Sequence, residues 1–155
     1  MPQLGKGGKF VYGKSLIRKN FLIQFPPQAI REYNITAEGK IFLFSGSKST
    51  GGFCITRKGL LLSSKIANIL RDNPLLQNYE LSEGSFIPYK GRYYCWLGIS
   101  KEGQIILPKN TLEFLHLEAG MELLSIRSSN IAFTMGAKGP LLDTAANYKG
   151  DIELF

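Results

Sequence analysis

One histidine, two cysteines and a scatter of lysines and arginines are the residues able to do chemistry in this chain, and their spacing decides which chemistry. His116 is the only histidine among 155 residues. A nucleophilic triad or a histidine-based metal site would have to be built around it alone. No carboxylate–histidine or Cys-x-x-Cys spacing accompanies it, so it reads as structural. Cys54 and Cys95 stand in Phe53-Cys54-Ile55 and Tyr94-Cys95-Trp96. Such neighbours mark buried thiols, and two cysteines make no disulfide scaffold. No catalytic constellation emerges. The chain is expected to be no enzyme and to need no cofactor or metal.

The cations carry more information. Residues 1–77 hold a net charge of +9, whereas residues 78–155 hold −2. A basic half joined to a neutral-to-acidic half is the footprint of a partner bearing phosphates. The candidate DNA contacts are Lys9, Lys14, Arg18, Lys19 and Arg31, with Lys101 and Lys109 further along. Lys6-Gly7-Gly8-Lys9 reads as a flexible arm, because it lacks the strand–loop–helix setting of a phosphate loop. A smaller candidate is an anion or ligand site at Arg127, Ser128 and Ser129, where loop amides and hydroxyls flank an arginine. Tyr93, Tyr94 and Trp96 read as core aromatics.

The elements that must position these residues come in two copies. Ile17 to Pro26 aligns without a gap on Ile99 to Pro108, at an offset of 82 residues. The frame continues through Ile30 and Leu112, Tyr33 and Leu115, Ile41 and Leu123, and Phe44 and Ile126. Two extra loop residues in the first copy change the offset to 80, and Phe53 then falls on Phe133. A repeat of this kind must be recognised before any fold is assigned. Each copy reads as a strand (9–18 or 92–100), a tight turn, and a short strand closed by Pro26 or Pro108. A brief helix (27–33 or 109–115) and two more strands complete it.

A β-β-α-β-β unit of this size cannot close a core alone. The expected fold is therefore mainly β with short helices: one closed barrel built from both tandem repeats. Residues 9–60 form the first repeat, 61–91 a helical connector, 92–140 the second repeat and 141–155 a C-terminal tail. Ser63 and Ser64 are N-cap candidates for a helix over 65–71 that packs Ile66, Ile69 and Leu70 on the barrel. The rest of the connector reads as irregular. Pro140 opens a short final helix. With 44% hydrophobic residues a core can form, and no apolar run reaches the ~18 residues that span a bilayer. No apolar segment succeeds the basic N-terminus, so the protein is expected in the cytoplasm, away from membranes.

The second copy resembles the AbrB/SpoVT/MazE-like swapped-hairpin domains. Gly103-Gln104-Ile105-Ile106-Leu107-Pro108 and Leu115-His116-Leu117-Glu118-Ala119-Gly120-Met121-Glu122-Leu123 carry the likeness. The first copy joins through its alignment with the second, and two copies in one chain are similar to the duplicated MraZ family. The resemblance implies a DNA-binding transcription regulator that meets double-stranded DNA through a basic face of the first repeat, with a homodimer as the expected assembly. The chain departs from the family at the arginine expected after the turn glycine, which is Leu22 in one copy and Gln104 in the other. The basic helix positions are Ile30 and Arg31, and Leu112 and Glu113. Two other readings fit the residues: a protein-interaction module, antitoxin-like or an assembly subunit, and a small-ligand sensor that has lost DNA binding.

Overall fold

The computed structural model describes residues 10–148 and 152–155, so Lys9 and the rest of the basic arm lie outside the described residues. The first repeat forms β1 (Val11–Leu16), β2 (Leu22–Gln24), α1 (Pro27–Tyr33), β3 (Lys40–Ser45) and β4 (Phe53–Thr56). The connector adds α2 (Lys58–Leu62), α3 (Asn68–Arg71), α4 (Pro74–Gln77) and β5 (Ile87–Tyr89). The second repeat comprises β6 (Arg92–Gly98), β7 (Gln104–Ile106), α5 (Lys109–Phe114), β8 (Glu122–Arg127) and β9 (Phe133–Gly136), with α6 (Pro140–Ala146) behind it. Backbone geometry repeats with the elements. Phe21 and Gly103 turn the chain at φ 67° and 81°, and Asn34 and His116 leave their helices at φ 49° and 57°. Asparagine and histidine are among the few side chains that tolerate the left-handed region, which accounts for an exposed histidine at this position.

The repeats exchange their first strands. β1 of the first repeat pairs antiparallel with β8 of the second, and β6 of the second pairs with β3 of the first. Two further pairings join equivalent elements: β4 with β9, and β2 with β7. The result is one seven-stranded sheet in the order β1-β8-β9-β4-β3-β6-β5, with β2-β7 as a separate two-stranded ribbon.

The sheet is open, and this corrects the expected closed barrel. The free side of β1 is occupied by the end of the chain: Lys14 N–H donates to the Glu153 carbonyl and Leu16 N–H to that of Phe155, both at 2.8 Å. At the other edge β5 has only three residues. It is tied to β6 by a two-residue turn, Lys90-Gly91, in which both residues have positive φ. The β1 edge is thus already paired, and the opposite edge is a short strand.

The inner face of the sheet and the ribbon enclose the main core. Phe133 sits at its centre, with the rings of Phe25 and Tyr33 each 5.3 Å away and that of Tyr12 at 6.4 Å. On the outer face α2 to α4 cover Phe42, Phe44 and Cys54, while α6 covers Leu124 and Ile126. Both cysteines are buried free thiols. The connector differs from expectation in three places. The helix over 65–71 shortens to α3, and Ser64 caps only the turn before it, accepting from Ile66 N–H at 3.2 Å. Ile66 is 42% exposed rather than packed. Leu61 and Leu76 are fully buried and hold α2, which begins inside the expected first repeat, and α4, which forms in connector sequence that reads as irregular.

Truncating Phe133 to alanine should cost about 3 to 5 kcal/mol in urea unfolding, the usual cost of an aromatic cavity. His116→Asn should leave the unfolding midpoint unchanged, whereas His116→Val should lower stability by about 1 to 2 kcal/mol, since a branched Cβ opposes the left-handed backbone.

Candidate nucleic-acid interface

The β2–β7 ribbon organises most of the candidate cations. Its register sets Leu22 opposite Ile106, Ile23 opposite Ile105 and Gln24 opposite Gln104. Ile23 and Ile105 point into the core. By strand alternation the other two pairs face away from it, and Ile106 is 57% exposed.

Each end of the ribbon joins a turn of one repeat to the helix entry of the other. At one end Leu107 N–H donates to the Phe21 carbonyl at 3.1 Å, which places the Arg18–Phe21 turn beside Leu107-Pro108-Lys109. At the other end Phe25 N–H donates to the Gly103 carbonyl at 3.0 Å. A Cβ on Gly103 would collide with Ile30 of α1, so that turn and the helix bearing Arg31 are in direct contact.

The exposed cations Arg18 and Lys19 thus share an end with Lys109, while Lys101 shares the other with Arg31. Among the described residues none of these five forms an ion pair. The cations flanking the ribbon come from both repeats, not from the first alone. Lys14 is set apart on β1, where it pairs with Glu122 at 3.8 Å.

Leu112 is buried, and Ile30 is half-buried against Gly103, so neither position offers a surface side chain. The positions after the turns, Leu22 and Gln104, lie on the outward ribbon face. Gln24 is held by local structure, its amide donating to the Glu102 carbonyl at 2.9 Å and the Phe25 carbonyl at 3.0 Å. The side chain of Gln104 has no hydrogen bond among the described residues. In the sequence Gln104 reads only as a lost arginine; its place opposite Gln24 depends on the ribbon register, which no periodicity encodes.

Arg127 is already engaged. Its guanidinium pairs with Glu32 on α1 at 2.5 Å, donates to Tyr12 Oη at 3.2 Å and stacks on Phe10 at 4.8 Å. Tyr12 in turn donates to Glu32 at 2.8 Å, and Tyr33 donates to the Ser129 carbonyl at 2.7 Å. This network clamps α1 of the first repeat onto β8 and its loop in the second. Burial pushes the Glu32 carboxyl up, but the hydrogen bonds from Arg127 and Tyr12 and the arginine charge outweigh it, leaving the carboxyl below its ordinary 4.5. Ser128 and Ser129 border a cleft on the outer face of the sheet.

The remaining candidates are structural. Burial pushes both thiols up from their ordinary values, so neither is an activated nucleophile. Tyr94 is buried and Trp96 donates its indole N–H to the Leu81 carbonyl at 2.7 Å. Tyr93 is instead 42% exposed and packs edge-on against Phe114 at 4.9 Å. Among the described residues no group of three His, Cys, Asp or Glu could hold a metal ion, and no helix is long and apolar enough to cross a membrane.

A depressed carboxylate stabilises the fold above its unfolded pKa, and that contribution fades as pH falls through the folded value. Glu32→Gln should therefore lower the urea midpoint at neutral pH, and the gap from the parent should close as pH falls below about 4.5. A gap independent of pH would show that the clamp acts by packing alone.

No protein-family model matches the chain, and no curated protein matches it as a relative.

Proposed function

We propose that the chain is a single-polypeptide protein of the AbrB-like swapped-hairpin type, and that it binds duplex DNA through the outer face of the β2–β7 ribbon in the manner of a transcription regulator. The observation that supports this best is the pairing of the two ribbon strands, which sets Arg18 and Lys19 with Lys109 at one end and Lys101 with Arg31 at the other. Three residues of strand run about 10 Å. The major groove is about 12 Å wide and admits a two-stranded ribbon. Cations at both ends then meet phosphates on either side of the groove, and these contacts supply most of the affinity through released counterions. The Lys101 end of the ribbon carries Gln104 on the outward face, and its carboxamide geometry suits adenine N6 and N7. A homodimer would present two such ribbons to two half-sites.

A second reading, a protein-interaction face, draws on Ile106, 57% exposed opposite Leu22 where the family carries arginine. Salt dependence separates the two. If all five cations touch phosphates, log K for duplex DNA should fall against log salt with a slope of roughly −4 to −5. Arg18→Ala/Lys19→Ala/Arg31→Ala should make the slope shallower by roughly 2 to 3. Fluorescence anisotropy across a salt series reads both numbers. No binding at low salt, or a triple variant indistinguishable from the parent, discards the ribbon as a DNA site and favours the protein-partner reading.

A further inference from the structure

The outer face of the sheet, turned away from the ribbon, carries one continuous cross-strand row. Ile126 stands opposite Thr134, Thr134 opposite Cys54, Cys54 opposite Phe44, and Phe44 opposite Tyr94. The connector roofs one end of this row through Ile69 of α3, and Leu141 of α6 borders the other. Between them lies a cleft of about 620 Å³. That volume is in the range of small-molecule sites.

The charge on its rim is one-sided. Lys65, Lys90, Arg92 and Arg127 line the cleft, and among the described residues no aspartate or glutamate does. Arg127 is already paired with Glu32. The β5–β6 hairpin supplies two of the others: Arg92, at the start of β6, lies with its guanidinium 5.4 Å from the Phe44 ring centre, and Lys90, in the turn, has its ammonium 5.3 Å from that of Tyr89. Among the described residues Arg92 makes one long hydrogen bond, to the Ser45 carbonyl at 3.4 Å, and meets no carboxylate. A guanidinium has five N–H donors, so most of those on Arg92 are open to a ligand.

We infer that this cleft is a binding site for a small organic anion, a carboxylate or phosphate carried on an apolar or aromatic body. The body lies along Phe44, Tyr94 and Ile126, and the charged group meets Arg92 and Lys90. Charge-assisted hydrogen bonds to a guanidinium are the contacts that fix orientation in such a site. Thr134 supplies a hydroxyl to the floor, and it sits 3.4 Å from the Cys54 thiol. This assignment is independent of the DNA reading, since it uses other residues on the opposite face of the sheet.

The test is a fluorescence titration with 1-anilinonaphthalene-8-sulfonate, beside the uncharged N-phenyl-1-naphthylamine. The parent should bind the sulfonate dye saturably at one site, and Arg92→Gln should raise its Kd about tenfold while leaving the neutral dye unchanged. Competition with 1-naphthoate and 1-naphthyl phosphate then identifies the head group, by whichever displaces the dye at lower concentration. If Arg92→Gln lowers the melting temperature enough to confuse the result, Lys90→Gln on the exposed turn replaces it, with a severalfold loss expected. Non-saturable binding, equal binding by parent and both variants, or displacement by neither competitor overturns the assignment. So does displacement by duplex DNA, which would make the cleft part of a nucleic-acid surface.

Discussion

The exchange of first strands between the two repeats is the constraint on which the rest of this structure depends. Val11 pairs with Ile126, and Lys40 with Gly98, so each repeat completes its sheet with a strand from the other. Neither repeat has a closed core without its partner, as expected for units this small. The exchange also fixes the ribbon. Once β1 and β6 are committed to opposite repeats, the chain returning from each must cross the same end of the core, and there β2 meets β7. Pairings between residues more than 100 positions apart are slow to form, because the intervening chain must close before they contribute. The extra entropy of such long closures nevertheless grows only with the logarithm of their length.

Much of this is legible in the amino-acid sequence, because the repeat carries its own checks. The recurrence of Pro26 at Pro108 and of Phe53 at Phe133 places strands and helices within a residue or two of where they lie. The paired left-handed residues, Phe21 with Gly103 and Asn34 with His116, show that the match extends to backbone conformation even where the residue types differ. The partners of each strand are not legible, since alternation defines a face and says nothing of which strand lies alongside. The open sheet escapes a sequence reading for a related reason: nothing in Glu153-Leu154-Phe155 marks it as a partner for β1. The short helices α2 and α4 escape it because four or five residues hold too little periodicity, and burial of Leu61 and Leu76 holds them instead.

The candidate sites show the same division. The exposed cations can be named from charge alone, yet their grouping into two ends of one ribbon requires the β2–β7 register. Arg127 looks available beside Ser128 and Ser129, but Glu32, distant in sequence, holds its guanidinium. The serines border a cleft whose other cations, Lys65, Lys90 and Arg92, no local motif singles out.

The two copies differ on both faces of the sheet, and on the outer face the difference falls along one line. Toward the core some positions stay equivalent: Phe53 and Phe133 both point inward and are fully buried. On the outer face they have diverged. Phe42 and Phe44 of the first repeat correspond to Leu124 and Ile126 of the second, and Cys54 corresponds to Thr134. The segments C-terminal to the two repeats cover these positions differently, with α2 to α4 over the aromatic half and the single helix α6 over the aliphatic half. In the inner core each side chain packs against residues of both copies, so a substitution there disturbs both. On the outer face the two halves are covered by different segments, α2 to α4 and α6, and only at the β4–β9 junction do Cys54 and Thr134 of the two copies meet. The cleft sits along this line of broken symmetry, between β4 and β9, where a two-fold arrangement would otherwise have matched like with like.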